Sequence, residues 1–208
     1  MPLQNRVNPL GEIIKTPERG LLMGNRGCLH NTHKHINKQW VRTAWVTCKL
    51  QFKDRHREIM SDGKYTELFF LDEVTALSAG HRPCATCRRE DFNQFKNYWL
   101  LVNPDIAAIS GTSMPKIDKE LHLERLDSNY QKTFWFTSIA ELPDGTMIED
   151  KNSIKLLWKG NLHIWTSSGY TKSQPFQSNM QVKVLTPRSV VNVLKAGYQP
   201  LVHPSIEN

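Results

Sequence analysis

Apolar and polar positions alternate with a period of two from Val41 to Phe52 (VRTAWVTCKLQF). Val46, Cys48, Leu50 and Phe52 fall on one side, and Trp45, Thr47, Lys49 and Gln51 on the other. That pattern predicts a strand with Cys48 on its apolar face. Ser61-Asp62-Gly63 supplies turn chemistry, and Tyr65–Leu71 (YTELFFL) reads as a returning strand that pairs antiparallel with the first. Asp72 is placed to cap a short helix over Glu73–Ala79, closed by Gly80. After Pro83 the period changes to three and four: Phe92, Phe95, Trp99 and Val102 share one helical face, which Asn103-Pro104 ends.

Residues 105–116 read as a loop and 117–127 as a second helix, with His122 and Arg125 on a surface face. Strands dominate the last third, where Ile154–Lys159 and Leu162–Thr166 flank the hairpin signal Gly160-Asn161. Met180–Leu185 alternates again, and Thr186-Pro187 opens a last helix that Gly197 closes. Residues 1–39 read as loop or short strands. The sum is an α+β fold with antiparallel hairpins and three to four helices around a cysteine knuckle. A β-rich lobe follows, dividing the chain into residues 1–104 and 105–208, with packing of the two as one unit left open. The sequence also echoes itself: VTALSAGHRPC at 74–84 and VNVLKAGYQPL at 191–201 both place Ala-Gly after a helix, then a ring, then proline. Gly in the left-handed position after a helix explains the shared part.

Composition narrows the class. With 208 residues, 39% apolar, six Trp and eight Phe, the chain has enough material for a core. It has no apolar run of membrane-spanning length, and its N-terminus lacks a signal-peptide stretch, so a cytoplasmic location is expected. The formal charge of +7 is uneven. Residues 1–50 hold 8 basic and 2 acidic residues, 101–150 hold 4 and 9, and 151–208 hold 7 and 1. A positive face of this kind attracts phosphate, which makes nucleic acid, DNA first, the expected partner.

Cys84-Ala85-Thr86-Cys87 is the sharpest motif. Two thiolates two residues apart in a tight turn can both reach one Zn2+ at about 2.3 Å. The following helix start and Arg82, Arg88 and Arg89 favour the thiolate form. A CxxC also permits a redox pair or coincidence. For a four-cysteine zinc site the remaining ligands are Cys28, in the loop GNRGCLH, and Cys48, with His30 as first substitute and His33, His35 and His81 behind it. Arg26, Arg82, Arg88 and Arg89 are the expected phosphate contacts, Arg26 within a Gly24-Asn25-Arg26-Gly27 turn.

An enzyme is the alternative: a zinc-dependent nuclease or nucleobase deaminase. It would take a base from His30, His56, Glu67 or Asp72, or from His56-Arg57-Glu58 ahead of Pro83-Cys84-x-x-Cys87.

Residues 68–91 (LFFLDEVTALSAGHRPCATCRRED) resemble the metal-binding module of Ada-type DNA-repair regulators. There a strand and short helix lead into an Ala-Gly-aromatic-Arg-Pro-Cys-x-x-Cys-Arg knuckle, and four cysteines bind zinc. The resemblance implies metal roles for Cys84 and Cys87. It supplies no counterpart for the family's upstream Cys-x-x-x-Cys pair, which includes the methyl-accepting thiolate. With MGNRG near the start and AGYxPxxHPS near the end, the whole chain looks like a bacterial family carrying such a knuckle.

Overall fold

The computed structural model describes residues 1–53 and 58–207, apart from the side chains of 172–174. It is an α+β fold built on two six-stranded sheets. In chain order the elements are β1 (Gln4–Val7), β2 (Ile13–Lys15), β3 (Leu22–Asn25), β4 (Val46–Lys49), β5 (Leu68–Phe70), α1 (Glu73–Ser78) and β6 (Arg82–Pro83). Helices α2 (Arg89–Val102), α3 (Pro104–Ser110) and α4 (Met114–Arg125) follow. The remainder is β7 (Trp135–Ser138), β8 (Thr146–Asp150), β9 (Ser153–Trp158), β10 (Asn161–Thr166), β11 (Gly169–Pro175), β12 (Gln181–Val184) and α5 (Arg188–Lys195). Among the described residues, no helix is long and apolar enough to cross a membrane.

The first sheet runs β2-β1-β5-β3-β4-β6 and the second β11-β10-β9-β8-β12-β7. The second is antiparallel throughout, whereas the first contains two parallel pairs, β1–β5 and β4–β6. The strand pairing expected between 41–52 and 65–71 does not form directly, because β3 lies between β4 and β5 and pairs with both. Two glycines make room for it. A Cβ on Gly24 would lie 2.2 Å from the Val46 carbonyl oxygen, and one on Gly20 1.8 Å from that of Phe70.

Helix α1 holds the centre, and all six of its residues are buried. Val74 packs with Leu71, Met147, Leu156, Tyr170 and Leu185 beneath the second sheet. Ala76 joins Val7, Ile13, Leu22, Leu68 and Phe70 under the first. Leu77 joins Phe95, Trp99, Ile117, Leu121 and Val190 between the helices. The first and third of these clusters each draw on residues from both sides of position 104. Asp72 caps α1 by accepting from the Thr75 N–H at 2.9 Å, as its position predicts.

The two echoing segments end their helices identically. Gly80 (φ +84) and Gly197 (φ +106) donate to Leu77 and Leu194 carbonyls, and His81 and Tyr198 donate to Ala76 and Val193. This paired bond pattern is the Schellman stop, and it requires the left-handed glycine. It turns the chain out of α1 straight into β6.

Three local expectations change. Residues 104–110 form α3, with Pro104 in its first turn, rather than opening a loop. The regular strand in 41–52 shortens to β4, and its faces are exchanged: Trp45 and Thr47 are buried, while Cys48 is half-buried and Leu50 exposed. Arg125 lies in the interior at 1% exposure rather than on a surface face.

Candidate metal centre

Three cysteines meet at one end of the β4–β6 pair. Parallel pairing sets Thr47 beside Pro83, and the Cys84 N–H donates to the Thr47 carbonyl at 2.9 Å. This sets Cys84, just past the end of β6, beside Cys48, the third residue of β4. The chain then turns tightly: the Thr86 N–H points at the Cys84 sulfur (3.4 Å) and the Arg88 N–H at the Cys84 carbonyl (3.1 Å). This brings Cys87 back just before α2 begins. The sulfurs of Cys48, Cys84 and Cys87 all lie within 4.8 Å of one another. Thiolates on one tetrahedral zinc sit about 3.8 Å apart, so a small inward closure completes three corners.

The thiols already share protons. Cys84 accepts from the Cys48 and Cys87 thiols, and these bonds hold it far below the usual thiol range. Cys48, donating to Cys84 and partly buried, is pushed up correspondingly. A divalent ion bound by these sulfurs would displace their thiol protons.

Cys28 is not in this group. Met23 on β3 faces Cys48 across the antiparallel register, and Asn25 faces Val46. Cys28 therefore lies beyond the opposite end of β3, near the His30 carbonyl (3.7 Å). The substitute histidines are placed elsewhere too. His30 is buried, with its ring nitrogens on Thr66 Oγ1 (2.6 Å) and the Ser61 carbonyl (3.2 Å). His33 and His35 are exposed. His81 is buried against Trp45 and Phe70.

The arginines expected to contact phosphate are mostly committed to internal partners. Arg82 donates Nε and Nη2 to the two Asp118 carboxylate oxygens at 2.9 and 2.7 Å. Arg88 pairs with Glu73 (2.8 Å) and Asp91 (2.7 Å) and donates to the Thr47 hydroxyl (3.0 Å). Both are buried, and they bolt the knuckle to α4 and α1. Arg26 is buried at 1% exposure and donates Nε to His81 Nε2 (3.2 Å). Arg89 alone of the four faces solvent, donating to the Ala85 carbonyl at 3.2 Å.

The residues considered as catalytic bases lie away from the sulfurs or are saturated. Asp72 accepts from Thr75, the Tyr170 hydroxyl (2.7 Å) and the His203 N–H (3.0 Å). Glu67 accepts from the Met60 N–H, and Glu58 pairs with Lys34 at the surface. His56 lies outside the described residues.

What the sequence reading missed is an interior cluster of Trp45, Arg26, Arg125, His81 and Lys132. No periodicity marks it, because the side chains come from four separate segments.

The fold and site together define an α+β protein with a cysteine-knuckle cluster able to hold a metal. No protein-family model, no curated protein and no solved structure matches this chain.

Proposed function

We propose that the protein is a zinc protein in which Cys48, Cys84 and Cys87 donate three thiolates to one structural ion. The convergence of three sulfurs within 4.8 Å, from two strands and a helix start, carries this reading. Three thiolates favour zinc over the hard cations, which take oxygen ligands. The fourth corner is taken by a ligand other than Cys28. The ion would tie together β4, β6 and the start of α2, three elements that are otherwise joined by few backbone bonds. Zinc analysis after dialysis tests it. About one equivalent per chain is expected, with a cooperative loss of melting temperature on chelation; an unchanged melt and no bound metal would overturn the reading.

A nucleic-acid partner is a second reading, favoured by the exposed edge of the second sheet rather than by the knuckle arginines. Phe134 and Phe136 are 50% and 64% exposed and meet edge-on at 5.9 Å between centroids. Lys183 Nζ sits 4.0 Å from the Phe134 ring centroid, and the Arg188 guanidinium 4.1 Å from that of Trp135. Lys183 also pairs with Glu149 (2.7 Å) and Trp135 packs on the core, so the two exposed phenylalanine rings are the elements of a single-strand stacking platform here. Filter binding across a salt series reads it: a steep salt slope and a loss of roughly 1–3 kcal/mol per ring in Phe134→Ala and Phe136→Ala are expected. Retention that is equal in the variants would exclude this surface.

A further inference from the structure

At the end of the β4–β6 pair opposite the cysteines, three cations are packed into the interior close to one another. The guanidinium carbons of Arg26 and Arg125 lie 4.0 and 4.1 Å from the centroid of the Trp45 ring. Arg125 donates to the Gly80 and Thr43 carbonyls and, through Nε, to His122 Nδ1 (3.2 Å). Lys132 Nζ donates to the Ser78 carbonyl at 2.5 Å. Among the described residues, none of these three cations makes an ion pair with a carboxylate. The nearby Asp118 is held bidentately by Arg82, and Glu124 accepts from Ser189.

Ser78 and Gly80 lie at the C-terminal end of α1, so the helix dipole offsets part of the charge. That offset is roughly half an elementary charge, less than the two guanidinium charges alone. Burying the remainder uncompensated is strongly unfavourable. Two buried polar atoms in the cluster also lack any partner among the described residues: Arg26 Nη2 and His81 Nδ1. Because His81 Nε2 accepts from Arg26, Nδ1 carries the ring proton, so both orphans are donors. Arg26 Nη2 lies against Gly11, where a Cβ would meet this atom and the Ala79 carbonyl oxygen in ordinary contact, each at 3.7 Å.

We propose that this cluster is an internal oxyanion site of the phosphate class, bound by Arg26 Nη2 and His81 Nδ1–H in the field of Arg125 and Lys132. A guanidinium, an imidazole N–H and an ammonium arriving from different elements suit an ion with several oxygens better than a halide. The titration behaviour agrees. Burial first of all lowers Arg26 and Arg125 to about 9 and Lys132 to about 7. Repulsion from Arg125 adds to it at Arg26 and Lys132, while Asp118 partly offsets it at Arg125, and a bound anion would relieve the burial and the repulsion.

Thermal melts of the zinc-loaded full chain in sodium phosphate, against sodium chloride at equal ionic strength, test the site. A rise of about 5–10 °C is expected once phosphate exceeds its Kd a hundredfold. Arg26→Gln and Lys132→Gln should each abolish that rise, while Arg89→Gln, at the exposed knuckle arginine, should keep it. Lys132→Gln carries the test if Arg26→Gln does not fold. A 5′-phosphorylated oligonucleotide compared with its unphosphorylated form separates the sources. A rise with inorganic phosphate assigns the site to the free ion; a rise only with the phosphorylated strand assigns it to a terminal phosphate. No rise with either, or an equal rise in the Arg26 and Lys132 variants, would overturn the proposal.

Discussion

The pair Arg82–Asp118 offers the sharpest test of whether the knuckle arginines are structural. Arg82 begins β6, two residues before Cys84, and Asp118 lies in the first turns of α4. Their side chains are 8% and 6% exposed, and two nearly parallel bonds of 2.9 and 2.7 Å join them. Asp118→Asn keeps the shape but leaves a guanidinium buried with one charge uncompensated. Breaking a buried pair in this way costs about 3–5 kcal/mol, and the Pro83 carbonyl and the Phe92 ring beside Arg82 do not replace a carboxylate. At this chain length such a loss lowers the melting temperature by roughly 6–20 °C. The double variant Arg82→Met/Asp118→Leu removes both charges and should recover most of the loss, since a hydrophobic pair of similar volume is often neutral. Urea unfolding of the zinc-loaded protein reads all three chains. If Asp118→Asn costs less than about 1 kcal/mol, a typical value for an exposed pair, the interior role assigned to Arg82 is wrong.

Other outcomes follow from the same packing. Lys132 is buried and its folded-state value falls from 10.5 to about 7, so between those values the unfolded chain binds the extra proton. Stability should therefore rise as pH increases from about 7 towards 10.5, and the Lys132→Met melt should be flatter over that window; parallel profiles would contradict this. Tyr198 donates to the buried Glu73 at 2.7 Å, so Tyr198→Phe should cost about 1.5–3 kcal/mol in urea unfolding, as for a bond to a charged group. Gly20→Ala places a methyl 1.8 Å from the Phe70 carbonyl oxygen, and a loss of about 3 kcal/mol or more is expected from backbone displacement. A native-like unfolding midpoint for that variant would show that β3 and β5 can separate without cost.

The sequence carried local chemistry well and long-range arrangement poorly. Asp72 as cap, Gly80 and Gly197 as stops, and the turn at Gly160 between β9 and β10 were all legible, because each depends on neighbouring residues. Cys84 and Cys87 were legible for the same reason, since a two-residue spacing fixes their separation. Cys48 required a tertiary fact, the parallel register of β4 with β6, and the alternation of 41–52 assigned it to the wrong face. Cys28, in a glycine-flanked loop, offers the same thiol as Cys48 on its strand. The β3–β4 register separates it from the sulfur cluster, and no residue type announces a register. The arginines beside the motif read as phosphate contacts because charge is ordinarily on the surface. Asp118, Glu73 and Asp91, which pair with them, are 36, 15 and 3 residues away from their partners in the chain. Arg125 and Lys132 gave no warning, since their burial follows from Trp45 and the end of α1.

The central claim is that three named thiolates, and not Cys28, hold the metal. Cobalt substitution tests it directly, because the thiolate-to-metal absorption in the near ultraviolet scales with the number of bound sulfurs. The account predicts equal absorption per cobalt in the native chain and in Cys28→Ser. Each of Cys48→Ser, Cys84→Ser and Cys87→Ser should lose about one third of it, or lose the metal altogether. A drop in Cys28→Ser matching that of the other variants would contradict the three-sulfur site.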